Sequence, residues 1–392
     1  MSNCKILYFH HSVGTGGAPR SLAYLIAGLD RTKYDPVVVV PKKSSNAFVR
    51  EIFEAANATV LEHVDIQPFH GSQVAPYHSF RKRARALWVY PKLVRAARQL
   101  VGDVKPDIVH LNSTCLVGAA KGAHQAIAGV PTIAHVREPL LENWWGRNLA
   151  SLNRKHVDYF IGIDQYGIDS LQLKENDASV IFNFVDRKKF APVNEEVRAK
   201  YRESFGWKPG QTVFLSLARI EPYNGAAELA ELVGELDSRL DRSATFVFAG
   251  FRETDTAYQT RARTAIGLSS RCHALQFTED VVKAINAADV IVVPYITPHS
   301  ARSVFEAAAI GKPALVSKVP NLEELVVDGK TGLVFDWKLP ESIVDLVNQL
   351  CCPIRETLGT AAFERAAAEF DQVTNTLRTE EVYRKLLHLE DS

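Results

Sequence analysis

Two stretches of this sequence gather the residue types that hold anions at the start of a helix. The first is Gly14-Thr15-Gly16-Gly17-Ala18-Pro19, followed by apolar residues at Leu22, Leu25, Ile26 and Leu29. Glycine lets a backbone approach a ligand closely and proline suits a first helical turn, so the amides of Gly16 and Gly17 can face a phosphate or a substrate oxygen. The run lacks the third glycine of a dinucleotide fingerprint and the Gly-Lys-Ser/Thr ending of a P-loop. A plain strand-to-helix turn accounts for the same glycines equally well.

The second stretch runs from Pro298 through His299, Ser300, Ala301, Arg302, Ser303 and Glu306 to Gly311 and Pro313. Ser303 and Glu306 have the spacing of a capping box, and Gly311 with Pro313 would stop the helix. The same residues also suit a ligand. Unpaired amides and the positive helix end would face a diphosphate, Arg302 adds charge, and Glu306 can accept two ribose hydroxyls. Spacing alone leaves both readings open.

Short Val/Ile-rich runs separated by helical patterns supply the elements behind these loops, the sign of β-α-β units and parallel sheets. Strands are expected at Ile6–Phe9, Val37–Val40, Ile108–Leu111, Thr132–Val136 and Tyr159–Ile163, then at Val213–Leu217, Thr245–Ala249, Val290–Pro294 and Ala314–Ser317. At 392 residues the chain exceeds what one core supports. Two doubly wound α/β domains are predicted, 1–190 and 191–372, joined by a strandless linker within 183–210. A closing amphipathic helix over 373–392, with Leu377, Val382, Leu386 and Leu387 as its apolar positions, is expected to pack on the first domain.

The five cysteines form no C-x-x-C pair or spaced ligand set, so neither disulfides nor zinc are expected. The N-terminus has no secretory h-region and no apolar run is long enough to span a membrane, which points to the cytoplasm. The net charge of +1 hides an asymmetry: residues 1–190 hold 24 Lys+Arg against 16 Asp+Glu, and residues 191–392 hold 22 against 29. Such a split often marks an anionic partner for the basic half.

The segment Asp289-Val290-Ile291-Val292-Val293-Pro294, with Arg302-x-x-x-Glu306-Ala307 and Gly311-Lys312-Pro313, resembles the donor-binding segment of family 4 retaining glycosyltransferases. Glu324-Leu325-Val326, Asp328-Gly329-x-Thr331-Gly332-Leu333, Gly16-Gly17-Ala18 and Asn183-x-Val185-Asp186 continue the match. The resemblance implies the GT-B architecture, two Rossmann-like domains facing a cleft, with acceptor binding in the first and nucleotide-sugar binding in the second. It implies transfer from a nucleotide diphosphate sugar to a glycan or lipid-linked acceptor, with retention, without metal or cofactor, in surface polysaccharide assembly. Glu306 would hold the donor ribose and Arg219 the diphosphate. His135 would face the transferred sugar, Glu138 would lie on the acceptor side, and Phe277 and Thr278 would lie near the base. Two departures stand out. Pro298 occupies the place of the family's first glutamate, with His299 as the candidate substitute, and Asn224 occupies that of a lysine. They support an alternative reading, a weakened GT-B module that binds a nucleotide sugar or glycan as a partner subunit. Pro320-Asn321 replaces a usual glycine pair, and Asn321 with Glu324 has the spacing of a helix cap.

Between Ile66 and Gly102 there is no acidic residue, while Arg81, Lys82, Arg83, Arg85, Lys92, Arg95 and Arg98 alternate with Leu87, Trp88, Tyr90 and Leu93. A basic amphipathic helix over 81–98 can lie on an anionic membrane surface. A solvated helix packed by its apolar side fits as well. No nucleic-acid-binding module accompanies the charge.

Overall fold

The structure, a computed structural model, describes residues 3–14, 16–43, 45–73, 79–173, 177–251, 256–276 and 280–389. The chain divides into two compact units, Met1–Phe184 with Gln372–Ser392, and Val185–Asp371.

The described strands of unit 1 are β1 (Cys4–Phe9), β2 (Tyr34–Pro41), β3 (Thr59–His63), β4 (Ile108–Leu111), β5 (Thr132–Val136), β6 (Tyr159–Gly162) and β7 (Ala178–Val180). They form one parallel sheet in the order β3-β2-β1-β4-β5-β6-β7. Unit 2 contains β8 (Thr212–Leu217), β9 (Ala244–Phe251), β10 (Cys272–Gln276), β11 (Val290–Val293), β12 (Ala314–Ser317) and β13 (Gly332–Phe335). Their order is β10-β9-β8-β11-β12-β13, again all parallel. Two Rossmann-like units follow.

Alternation explains the apolar runs. Along β1, Leu7 and Phe9 enter one core while Ile6 and Tyr8 enter another; along β2, Val37 and Val39 part from Val38 and Val40 in the same way. A strand buried on both faces favours apolar side chains throughout, so it reads as a nearly continuous Val/Ile run, and the exceptions, such as His110 and His135, are buried with hydrogen-bond partners. The strands that the apolar signal missed, β3, β7, β10 and β13, are the four sheet edges. Three of them are only partly buried, and β13 is short and begins with glycine.

The expected linker holds a helix, Glu195–Ser204, started by Asn194, whose Oδ1 accepts from the Val197 amide at 2.9 Å. None of its residues is fully buried, so no apolar stripe announces it. Asp289 anchors it: its carboxylate meets Arg198 at 2.6 Å and Arg202 at 2.9 Å and accepts from the Val213 amide at 2.8 Å. Burial pushes this carboxyl up, but the Val213 amide and the two guanidiniums outweigh it and hold it below 3.8.

The closing helix, Gln372–Leu386, belongs to unit 1; of the expected stripe, Val382 is buried in the core and Leu386 and Leu387 pack against it, but Leu377 does not. Leu377 is exposed, whereas Asn375, Thr376, Thr379, Glu380, Val382 and Tyr383 are buried. Polar contacts seat the helix: Gln372 donates to the Tyr24 carbonyl at 2.7 Å, Asn375 to the Phe182 carbonyl at 3.0 Å, and Glu380 accepts from the Asp30 amide at 2.9 Å.

Replacing Asp289 by Asn leaves the largely buried Arg202 without a counter-charge and Arg198 with only the exposed Glu195 at 3.4 Å. We expect Asp289→Asn to lower the stability of unit 2 by about 3–5 kcal/mol at neutral pH. The folded carboxyl is depressed, so the wild-type advantage is present above the ordinary carboxylate range and shrinks as pH falls through the folded value. Urea unfolding of both proteins at pH 7 and pH 3 checks this; equal midpoints at pH 7 would refute it.

Candidate functional site

In a parallel sheet covered on both faces, the loops leaving the carboxyl ends of the strands open a crevice where the strand order reverses. That point lies between β1 and β4 in unit 1, and between β8 and β11 in unit 2. The residues just beyond these strands are His10 and the glycine loop, Asn112, Arg219, and the segment leading to Glu306.

In unit 2 the helix Arg302–Ile310 starts from Ala301 in an extended conformation, with no side chain capping it. The capping box is therefore absent: Ser303 is the second helical residue and buried, and the Glu306 carboxylate pairs with Arg302 Nε at 3.2 Å instead of turning back to the helix start. The first amides are left to a ligand or solvent. Ser300 Oγ, just ahead of the helix, is buried without a partner. The helix ends at Gly311 in the left-handed region, φ 81°.

Arg219 follows β8, is exposed, and donates to the Tyr223 hydroxyl at 3.1 Å. Asn224 is buried and donates through Nδ2 to the Arg219 carbonyl at 2.6 Å, while its Oδ1 meets His299 Nε2 at 2.8 Å. His299 Nδ1 meets the Thr297 carbonyl at 2.7 Å, and its ring stacks on Tyr295 at 3.9 Å. Both nitrogens of His299 are thus engaged by the protein. Burial holds its pKa down at about 4, with the Thr297 carbonyl pulling up and Arg219 pushing down. Gly225 has φ +68° and a Cβ there would strike the Pro294 carbonyl, so glycine alone lets the two loops meet at Asn224.

Asn321 does not cap a helix. It is the second residue of Pro320–Leu325, fully buried, and neither polar atom of its side chain has a partner. Nothing in the structure explains that choice of residue.

In unit 1 Gly16 is the residue before the helix Gly17–Gly28, again without a side-chain cap, and a Cβ on Gly14 or Gly16 would meet open space. Packing does not demand these glycines. His10, fully buried, bonds Asn112 at 2.8 Å and Ser12 at 2.9 Å, and Asn112 also donates to the Ala18 carbonyl at 3.2 Å. Arg137 grips Asn112 Oδ1 at 2.6 and 2.8 Å and Asn183 Oδ1 at 3.1 Å. Burial, then Arg137, lowers His10 to about 3, so it is neutral at pH 7.

His135 lies at the carboxyl end of β5 and is buried; its Nδ1 meets His110 Nε2 at 2.7 Å, with the two ring planes only 5° apart. Beyond it, His110 Nδ1 meets the Tyr383 hydroxyl at 2.8 Å, and Tyr383 meets the Tyr8 hydroxyl at 2.9 Å. Burial, then Arg137, keeps both histidines neutral, His110 near 3 and His135 well below 6.5. Glu138 accepts from Ser72 at 2.5 Å; burial raises its pKa against the opposing pull of Ser72 and Arg137.

The structure thus draws Arg219, Asn224 and His299 into one network beside the start of Arg302–Ile310. Gly16, His135 and Glu138 sit at or just beyond the carboxyl ends of unit 1 strands. Phe277 and Thr278 lie outside the described residues. Sequence reasoning missed His10, His110, Asn112, Arg137 and Tyr383, and gave no role to Asn183 beyond its place in a matching motif. The polar residues just past Val/Ile runs, at His10 and Asn112, were the available signal. Among the described residues no group of three or more His, Cys, Asp or Glu side chains could hold a metal ion.

Residues 15–189 match the sequence profile of Glycosyltransferase Family 4, and residues 197–360 that of Glycosyl transferases group 1. A D-inositol 3-phosphate glycosyltransferase of Nocardia farcinica is 25% identical over 351 residues, spanning 82% of this chain and 74% of that protein. Its counterpart in Corynebacterium diphtheriae is 28% identical, across 50% of this chain and 47% of its own length, so the match spans about half of that relative. An Escherichia coli UDP-Gal:alpha-D-GlcNAc-diphosphoundecaprenol alpha-1,3-galactosyltransferase is 24% identical over 63% of this chain and 67% of that protein. Anabaena Alr3699/HepE, solved in complex with UDP, superposes with a TM-score of 0.79 at 19% identity, over 97% of this chain and all of that one. Its complex with UDP-glucose gives 0.77 at 21% identity, over 97% and 99%. With one profile on each side of Val193 and the fold of both sheets shared with such structures, the chain belongs to the family 4 glycosyltransferases of GT-B fold.

Proposed function

We propose that this chain is a retaining glycosyltransferase that moves a sugar from a nucleoside diphosphate sugar to a glycan or lipid-linked acceptor, in surface polysaccharide assembly. The observation that carries the reading is the uncapped start of Arg302–Ile310, with Glu306 one turn inside it and Arg219 tied to the same loops through Asn224 and His299. In this reading unit 2 holds the donor. The amides near Ala301, Arg302 and Ser303, with Arg219 and Arg302, take the negative charge that grows on the departing diphosphate. Glu306 accepts the ribose hydroxyls. Charge neutralised by amides and guanidiniums makes a metal unnecessary, so chelator should not slow the reaction. Unit 1 takes the acceptor, with Glu138 on that side and His135 as a neutral hydrogen-bonding partner for a sugar oxygen. The Anabaena complexes with UDP and UDP-glucose put uridine donors first.

A second reading, a binding module without efficient turnover, draws on Pro298 and on Asn224 and His299, whose polar side-chain atoms are engaged by each other and by backbone carbonyls. Incubation with UDP-, GDP-, ADP- and dTDP-sugars separates the two. Transfer or hydrolysis supports the enzyme, and binding without turnover supports the module. For the enzyme, Arg302→Ala is expected to raise the donor KM by roughly tenfold or more, the loss of a charge-assisted contact. An unchanged KM would sink the role given to Arg302.

We also place the acceptor side on an anionic membrane surface. No helix among the described residues is long and apolar enough to cross a bilayer. The helix Phe80–Val104, however, exposes Phe80 at 85%, Leu87 at 60% and Trp88 at 63%, at i, i+7 and i+8 on one face. Exposed Arg81, Lys82, Arg85, Arg95 and Arg98 accompany them, and Lys92 Nζ lies 3.3 Å from the Trp88 ring centroid. Apolar groups beside cations are what an interfacial helix needs. In sedimentation with phosphatidylglycerol vesicles at low salt, the wild type is expected to pellet. Phe80→Glu with Trp88→Glu should weaken binding roughly tenfold or more, as expected from losing two large buried apolar groups, with an unchanged melting temperature. A wild type that stays in the supernatant would discard the membrane surface.

A further inference from the structure

The buried chain Tyr8, Tyr383, His110, His135 ends blind at one side. Tyr8 and Tyr383 are fully buried, and among the described residues the Tyr8 hydroxyl bonds only to Tyr383. His135 Nε2, at the other end, has no protein partner among the described residues, and His135 sits at the carboxyl end of β5. Both imidazoles are buried, with the cationic Arg137 as the charged group that acts on them and no carboxylate offsetting it, so each carries one ring proton.

Two proton arrangements are compatible with the three distances. In the first, Tyr8 donates to Tyr383, Tyr383 donates to His110 Nδ1, and His110 donates from Nε2 to His135 Nδ1. Every hydroxyl hydrogen and the His110 proton then has a protein acceptor, and the His135 proton lies on Nε2, which is not among the sealed side-chain atoms that lack a partner and so is left to solvent or a ligand. In the second, His135 donates from Nδ1 to His110 Nε2 and His110 donates from Nδ1 to the Tyr383 oxygen. One of the two tyrosine hydroxyl hydrogens is then left buried without an acceptor. A buried unpaired donor is the costlier state, so the first arrangement dominates by roughly tenfold or more.

We infer that the blind tyrosine end fixes His135 with its proton on Nε2, as a hydrogen-bond donor to an oxygen of the ligand and not as a base. Tyr383 and His110 are positioning residues for it, which puts the C-terminal helix in control of a group at the end of β5. The inference rests on the proposed reading only in taking His135 as a ligand-facing residue.

Long-range proton–nitrogen NMR of histidine-labelled full-length protein reads the tautomer directly, with His135→Gln assigning the signals. The wild type and Tyr8→Phe are expected to show Nε2–H at His135, since Tyr383 still has only His110 to donate to when Tyr8 loses its hydroxyl. Tyr383→Phe, which removes the bias, should show a mixture, and retained chemical-shift dispersion would establish that it is folded. Nδ1–H at His135 in the wild type, or an unmixed tautomer in folded Tyr383→Phe, would overturn the inference. Titration with UDP-glucose gives the separate arm. A tautomer as stated with His135 signals that ignore the nucleotide sugar upholds the wire and counts against His135 as a sugar-facing residue.

Discussion

Both units depend on one constraint: a parallel sheet covered by helices on both faces has no polar surface of its own. All six residues of β8 and of β1 are taken up by the cores or the ladder. Groups that do chemistry can therefore stand only where a strand stops, and the reversal of strand order decides which ends are left uncovered. Arg219 leaves β8 and the Glu306 segment leaves β11, adjacent strands running the same way, so side chains far apart in sequence emerge side by side. The tight approach is backbone against backbone. Gly250, at φ +118°, passes the Ala218 carbonyl so closely that no side chain fits, and Gly225 does the same at Pro294.

Within unit 2 this crowding settles a competition over charge. An Asn at 224 sits under the loops, where its amide can serve two neighbours; a lysine there would have to surrender both bonds or bury its ammonium. The cation that family resemblance leads one to look for at 224 is absent, and Arg302 stands at the helix start instead, mostly buried and paired with Glu306. The pair keeps two charges from being buried unopposed, and it holds the carboxylate within the first turns of the helix.

The interior strands were readable because double-faced burial forces an unbroken apolar run, and the edges were hidden because a half-exposed strand carries no such run. The same logic governs the site. Glu306 and the glycine loop were found by their spacing within one segment and Arg219 through the family resemblance, whereas the capping box at Ser303 and Glu306 failed because the spacing does not fix where the helix starts. Here the helix begins ahead of Ser303, which would have to stand outside it to act as a cap, and Arg302 outcompetes the backbone for Glu306. The expected stripe of the closing helix failed at Leu377 for a related reason: its buried face adds polar partners in unit 1 to the apolar packing of Val382, Tyr383, Leu386 and Leu387. Contacts such as Tyr8 to Tyr383, 375 residues apart, leave no local pattern.

The two units consequently meet their ligand problem in different ways. Unit 2 arranges formal charge, two guanidiniums and a carboxylate, around a helix dipole, which suits a group whose own charge grows during reaction. Unit 1 has few charges at its strand ends, Arg137 being held by Asn112 and Asn183, and instead builds neutral imidazoles and amides into a dry network. Uncharged donors in a low-dielectric site bind oxygen with direction yet without attracting counter-ions or holding a charged product. Such a network works only if each member is satisfied on the protein side, since one unpaired hydroxyl would undo the preference it imposes. That requirement explains why a helix from the far end of the chain is committed to a tyrosine at 383 rather than to another leucine.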